Sequence, residues 1–425
     1  METINERNYI DRLYSIVRHM TWLKKSKNMR SCLVTTFKIG QIISEFFRKR
    51  SVIQNIAQIP IEVIQLDGYK NTFCGYYDVS PFNPDNPNKL LLHCNNFGTW
   101  IKPTTRRATD LVLYDRISRQ VKILASTRAW NWQQGSRLQW IDAEHVVYNS
   151  LQCELNGILM NVNTGEKQVL PANVNIAFRD QYIVSIDYSA LTAGSEYGYP
   201  GLVPERNGDQ IKRYFFSSAT TEVLFSTREL HAQLAVSGAI KRHINHILIN
   251  PGGDKFVFIY RFWKDGVRFD SLILYDFTTG IFRVIIENEC VSHYAWHNNN
   301  TLFIWGAING IGGYYWIDTN MGRIWPFINC DDGHPNFVNG RTVITDIRNP
   351  WYKAGLLRLY LQDVQNLTVV DLMVVSHPTI FNIANRCDMH VSLSFDKQVF
   401  QVDSRHLGYR CVIVGDLRNF RGLQT

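Results

Sequence analysis

Between residues 272 and 285 the chain reads "LILYDFTTGIFRVI", two apolar runs parted at their middle by Asp276, Thr278, Thr279 and Gly280. Leu, Ile, Tyr, Phe and Val suit the pleated, half-buried surface of a strand, and Asp, Thr and Gly are turn formers. The stretch therefore reads as an antiparallel hairpin. One hairpin decides little, but the form returns. It appears as "LVLYDRISRQVKIL" (111–124), "GILMNVNTGEKQVL" (157–170), "RYFFSSATTEVLF" (213–225), "YYWIDTNMGRIWPF" (314–327) and "RLYLQDVQNLTVVDL" (358–372). Each hairpin follows another pair of short strands, such as "HILINPGGDKFVFIYRFW" (246–263) or "HPNFVNGRTVITDI" (334–347). Two pairs make a four-stranded unit of roughly 40 residues, the repeat of a propeller blade.

Units begin near Cys74, Gln134, Asn173, His243, His293, His334 and His390, which makes seven. The last one offers only three strands, in "VSLSFDKQVFQVDS" (391–404) and "CVIVGDL" (411–417). The stretch "IEVIQL" (61–66) is expected to supply the fourth, pairing the two ends of the chain and removing the exposed edges of an open sheet. The expected architecture is all-β: one seven-bladed β-propeller over residues 60–425. A pair of β-sandwiches is the competing arrangement, and the regular return of the hairpin disfavours it.

Residues 1–59 have a different texture. Ile10, Leu13, Tyr14, Val17 and Met20 recur at spacings of three and four, as do Ile39, Ile42, Ile43, Phe46 and Phe47 before the run "RKRS", so an N-terminal helical extension is expected. Residues 1–50 hold eleven Lys/Arg against four acids, a surplus of seven out of the chain's total of eight. The remaining residues are close to neutral, which argues against a broad nucleic-acid-binding face. Basic amphipathic helices suit either peripheral contact with an anionic membrane or packing on the protein's own body. With 45% hydrophobic and 19% charged residues, the chain has ample material for a large core. It shows no apolar run long enough for a transmembrane helix, no secretory signal, and eight scattered cysteines without a CxxC pair. A cytoplasmic protein with reduced thiols is expected.

In a propeller the innermost strands all start at one end of the axis, so the segments ahead of them must converge. Here those segments carry Tyr77, Asp78, Gln134, Arg137, His243, His246, His293, His334, Asp388 and His390. Loops opening on the same face carry Asn95, Arg261, Asp346, Arg348, Asp403 and His406. Imidazoles beside a carboxylate suit a divalent metal. Trp100, Trp132, Trp263 and Trp351 lie in loops near that face and suit stacking on sugar rings. "GAINGIGG" (306–313) lies between strands and opens no helix, so it is not a phosphate-cradling loop.

At "HINHILINPGGDKFVFIYRFW" (243–263), "DGHPNFVNGRTVITD" (332–346) and "CDMHVSLSFDKQVFQVD" (387–403) the chain resembles the oligogalacturonate lyases, propellers of the wider TolB-like type. The resemblance implies a manganese ion held in the funnel by histidines and a glutamine, with an arginine base and β-elimination on a uronic acid. Carried over position by position, it implies His334 and His390 as metal ligands, His246 as a catalytic or substrate-binding histidine and Arg261 as the base. The family's last motif resembles Gln-x-x-His-x-His, and those places here hold Cys387, His390 and Ser392. Asp388 is the neighbouring donor that would complete the set. Tyr77, Arg137, His243, Asp403 and His406 are expected to line the substrate funnel. Two functions are carried forward. One is metal-assisted elimination on an acidic, uronate-containing oligo- or polysaccharide. The other is a non-catalytic propeller that binds a glycan or protein in a bacterial surface-polysaccharide assembly pathway.

Overall fold

A computed structural model of the chain describes residues 53–99, 101–152, 154–202, 210–234, 238–347, 356–377 and 386–420. The expected helices of residues 1–52, together with Trp100, Arg348 and Trp351, lie outside the described residues. The described chain is built from antiparallel strands, with short helices at Tyr188–Gly194 (α1) and Thr227–Leu234 (α2). Asp187 caps α1 by accepting from the backbone N–H groups of Ser189 and Ala190.

Among the described residues the strands form seven antiparallel meanders, made of strands consecutive in sequence except where the last two blades each take a strand from the start of the chain. Blade 1 comprises Asn71–Phe73, Lys89–Asn95, Thr109–Asp115 and Val121–Thr127. The next three begin at Gln139–Trp140, Ile176–Phe178 and Ile240–Ile249, and blades 6 and 7 at Asn336–Phe337 and Ser392–Leu393. Blades 4 and 5 share the long strand Ile281–Trp296, whose first half closes one and whose second half opens the other.

Both chain ends meet in the last two blades. Ile61–Ile64 pairs with Val412–Gly415, giving blade 7 its fourth strand from the start of the chain. Ile53–Asn55 pairs with Met373–Val375 on the outside of blade 6. That corrects the helical expectation over its final stretch, 53–55: an otherwise unpaired outer edge takes these residues as a strand.

Every blade packs on the next through its flat apolar faces. Leu111 of blade 1 and Tyr148 of blade 2 share one buried apolar cluster, Val147 and Ile183 of blade 3 share a second, and Ile211 and Phe258 of blade 4 share a third. Ile259 and Ile304 of blade 5 likewise share a cluster, as do Phe303 and Val343 of blade 6, and Leu359 and Val402 of blade 7. The last contact returns to the start, where Val399 and Val412 pack on Leu90 and Val112 of blade 1. Burying each such side chain contributes about 1.5–3 kcal/mol. Thr72 N–H also donates to Arg410 O across the same junction at 2.9 Å.

Candidate functional site

The inner strands are irregular at the places where the site residues sit. In blade 4 the register slips between Asn245 and Leu248, and His246 has a φ of 57°. In blade 5 it slips between Val291 and Tyr294, which frames His293. His390 has a φ of 47°. Bulges and left-handed residues turn a side chain out of the ladder, and here they turn histidines inward.

Blade 1 departs furthest from regularity. From the Phe73–His93 pair to the Phe82–Leu90 bridge the chain advances nine residues on the inner strand and three on its partner. The surplus forms an excursion that carries Gly75, Tyr76 and Tyr77 towards the other inner strands. Gly75 sits at φ 122°, and a Cβ there would lie 3.2 Å from Gln134 O, so the position needs glycine. Asp403 of blade 7 holds the excursion by accepting from Cys74 N at 2.8 Å and Gly75 N at 3.3 Å. Asn336 of blade 6 donates to Tyr77 O at 3.2 Å and to Val391 O at 2.7 Å.

Around this point the structure brings together His246, His293, His334 and His390, from four successive blades. The ring centroids of His293 and His334 are 4.0 Å apart, those of His334 and His390 4.6 Å, and those of His246 and His293 5.4 Å. Three of the rings are oriented through Nδ1. His334 Nδ1 lies 2.9 Å from both oxygens of Asp346, and His293 Nδ1 lies 2.8 Å from Asp332 Oδ1. His390 Nδ1 lies 2.8 Å from Gly75 O. An ionised carboxylate or a carbonyl only accepts, so each Nδ1 carries the proton and a neutral ring presents a lone pair at Nε2. Burial holds His390 well below the usual imidazole range, so that ring stays neutral.

The Nε2 atoms of His334 and His390 are buried and make no hydrogen bond. Asp388 lies beside them: ligand atoms of His334, Asp388 and His390 all fall within 4.8 Å of one another, and all three side chains are buried. Two orphaned imidazole nitrogens next to a carboxylate match the donor set of a divalent cation, with Asp346 and the Gly75 carbonyl as the outer partners that orient the rings. Asp388 also accepts from Arg386 Nε at 2.6 Å, and Arg386 is in turn paired with Glu196 and bonded to Tyr197 Oη at 2.9 Å.

A search of the solved structures places this arrangement in context. An oligogalacturonate lyase in complex with manganese superposes with a TM-score of 0.59, covering 88% of this chain and 99% of that one at 14% identity. The fold is that of an oligogalacturonate-lyase-like propeller. A second oligogalacturonate lyase, from Vibrio parahaemolyticus, gives a TM-score of 0.56 over 87% of this chain and 99% of that one, again at 14% identity. TolB from Acinetobacter baumannii aligns over 64% of this chain and 60% of its own, at 16% identity and a TM-score of 0.38. No protein-family model matches the chain, and no curated protein matches it.

The remaining expected residues are engaged in holding this propeller together. Arg261 donates to Asp270 Oδ1 at 2.6 Å and Oδ2 at 3.3 Å, and Asp270 is fully buried. Burial pulls the guanidinium down, but the Asp270 charge prevails and raises it above its ordinary value, so Arg261 stays protonated. Arg137 is likewise spent, on both oxygens of Asp78 at 2.9 and 3.0 Å and on Asn175 O. Tyr77 Oη donates to Tyr294 O at 3.1 Å and accepts from Tyr294 N at 3.0 Å, stapling blade 1 to blade 5. His406 Nδ1 is 2.8 Å from Ser404 Oγ. His243 bonds Lys241 O through Nδ1 at 3.1 Å and packs near Trp263. Trp132 is buried, with Arg410 over its ring and Nε1 donating to Ile101 O, so it offers no open face to a sugar.

Sequence reasoning missed Tyr76 and Asp332. Tyr76 Oη lies 2.8 Å from His246 Nε2 and 3.1 Å from His246 Nδ1, and its ring packs edge-on to His390 at 4.7 Å. The glycine before it in "CGYYD" was the available signal.

Proposed function

We propose that this chain is a glycan-active propeller enzyme, a lyase that performs metal-assisted β-elimination on a uronate-containing oligo- or polysaccharide. The observation that carries the reading is the pair of orphaned, buried Nε2 atoms of His334 and His390 beside Asp388. The fold shared with the oligogalacturonate lyases, one of them in complex with manganese, supports it.

His334, His390 and Asp388 would hold the ion; two imidazoles with a carboxylate suit a first-row divalent metal, and the manganese complex of the similar lyase supports manganese as that metal. When bound, a divalent ion supplies a Lewis acid that disperses charge on the uronate carboxyl as the C5 proton leaves. Asp346, Asp332 and the Gly75 carbonyl keep three imidazoles in one tautomer with Nε2 facing inward. Arg261, kept cationic by Asp270, suits electrostatic attraction of an acidic sugar better than proton abstraction. The reading is tested by incubating the purified protein with oligouronates and following absorbance of new unsaturated ends. Turnover by wild type, and its loss in both His334→Ala and His390→Ala, supports the assignment. Equal turnover in all three proteins overturns it.

Two observations favour a non-catalytic glycan-binding propeller instead: Arg386 Nε already pairs with Asp388 at 2.6 Å, and Cys387 and Ser392 stand where the resemblance places Gln and His. Its signature is retained binding of an acidic glycan with no unsaturated product. Peripheral membrane contact through the basic N-terminal stretch belongs to either reading, and removal of residues 1–52 would abolish it. Among the described residues no helix is long and apolar enough to cross a membrane.

A further inference from the structure

The candidate metal ligands are closed off from solvent: His334 and His390 are fully buried and Asp388 nearly so. A sugar reaches them only when a covering group moves. Tyr197 is such a group, with its ring 5.7 Å from that of Tyr76 and 5.8 Å from that of His246. It belongs to blade 3, in the connection between the strands Tyr182–Val184 and Gln210–Phe215. The matching connections of blades 4 and 5 are residues 265–266 and 309–310 alone. Blade 3 therefore carries extra chain on the face where the site lies.

Two neighbouring residues of that extra chain meet Arg386, which leads into blade 7. Glu196 pairs with Arg386 Nη1, and Tyr197 Oη accepts from Nη2 at 2.9 Å. A carboxylate oxygen and a phenol oxygen thus sit on the two terminal nitrogens, the places that both oxygens of one bidentate carboxylate take on a guanidinium. Arg386 is held in position by other groups. Its carbonyl accepts from Arg410 Nη2 at 2.5 Å and from Gln133 Nε2 at 2.8 Å, and its Nε donates to Asp388 at 2.6 Å. The covering segment has its own anchor at Tyr199, which stacks on Tyr188 at 4.5 Å and accepts from Asn149 Nδ2 at 3.0 Å. Between the two anchors, Asn131 Nδ2 donates to Tyr197 O at 2.9 Å.

We propose that Arg386 receives a carboxylate of the acidic glycan, and that Glu196 occupies that place until substrate arrives. The inference deepens the lyase reading above and rests on it. An incoming carboxylate takes Nη1 and Nη2, and Glu196 and Tyr197 leave together because they are consecutive in one segment. Their departure opens the way to the buried imidazoles. Arg386 keeps Asp388 through Nε, so the carboxylate it receives belongs to the ring next to the one held at His334 and His390. The substrate class is then an oligouronate with acids on successive rings.

The test compares KM for one uronate trimer among wild type, Glu196→Gln and Arg386→Gln, each as the full chain loaded with manganese. Metal per chain is measured alongside, so that a change at Asp388 is seen directly. Glu196→Gln removes the internal competitor and should lower KM about fivefold, as removing any competing closed state does. Arg386→Gln removes the receptor and should raise KM about 10-fold or more at equal metal content. A purely structural ion pair predicts shifts of the same sign in both variants, and that result overturns the proposal. An unchanged or raised KM in Glu196→Gln overturns it as well, whether or not Arg386→Gln folds. Wild type inert on every uronate tried overturns the lyase reading. Calorimetric titration of the same trimer then decides the carboxylate site by itself: dissociation constants moving in the two opposite directions support it, and no binding by wild type overturns it.

Discussion

Asp346 grips His334 at two points: its Oδ1 accepts the backbone N–H of His334 at 2.8 Å, and both oxygens lie 2.9 Å from Nδ1. The carboxylate therefore fixes where the residue sits and which nitrogen carries the proton. Asp346→Asn keeps the shape but removes the charge and one acceptor. It should weaken manganese binding by about 10–100-fold, as loss of an outer-shell partner does. Calorimetric titration of the two proteins checks this, and equal affinities would count against the site.

Gly333 makes that grip possible. A Cβ at this position would lie 1.9 Å from Asp346 O. Gly333→Ala should cost about 1–3 kcal/mol as backbone shifts absorb the clash. A urea midpoint unchanged from wild type would show that the two segments are not in contact. Manganese affinity should fall in the same variant, because His334 is the next residue.

Acid should destabilise the protein over a defined window. Burial lowers His93, His243 and His377 from 6.5 to about 4. Between those values the unfolded chain binds more protons than the folded one, so stability falls as pH drops, by up to about 1.4 kcal/mol per unit for each group. Asp403 works the other way. Burial raises it from 3.8 to about 7, so its contribution falls as pH rises through that range. Three groups outweigh one, and thermal midpoints should decline from pH 6.5 to 4. Asp403→Asn should steepen that decline. A flat profile in wild type would contradict the buried, neutral histidines.

The Arg261–Asp270 pair offers a sharper test of packing. Asp270→Asn strands a buried guanidinium and should cost about 3–5 kcal/mol in denaturant unfolding. Replacing both residues with apolar ones, as Arg261→Met with Asp270→Leu, should recover much of that loss. If the single change is silent, solvent reaches the pair.

The blades were legible because hairpins are local. The stretch 272–285 carries its apolar runs and its turn within fourteen positions, and the strands do pair there, Asp276 with Ile281 and Leu274 with Arg283. The convergence of His246, His334 and His390 follows from their equivalent places ahead of or within inner strands. Tyr76 was hidden for the opposite reason. Its excursion is fixed by Asp403, more than three hundred positions away, and by Asn336. No local pattern encodes such contacts. Arg261 shows the same limit, since its charge state depends on Asp270 across a hairpin. Trp132 read as a sugar platform because tryptophan composition alone says nothing about Phe73 and Arg410 packing over it. Residues 53–55 took a strand because blade 6 had an edge to cover.

The central claim is that His334, His390 and Asp388 hold a divalent ion, and metal analysis of the purified chain after manganese loading and extensive dialysis tests it most directly. The account predicts about one ion per chain in wild type, from a single three-donor site, and close to none in the His334→Ala/His390→Ala double variant. Equal metal in both proteins, or none in a well-folded wild type, would contradict it.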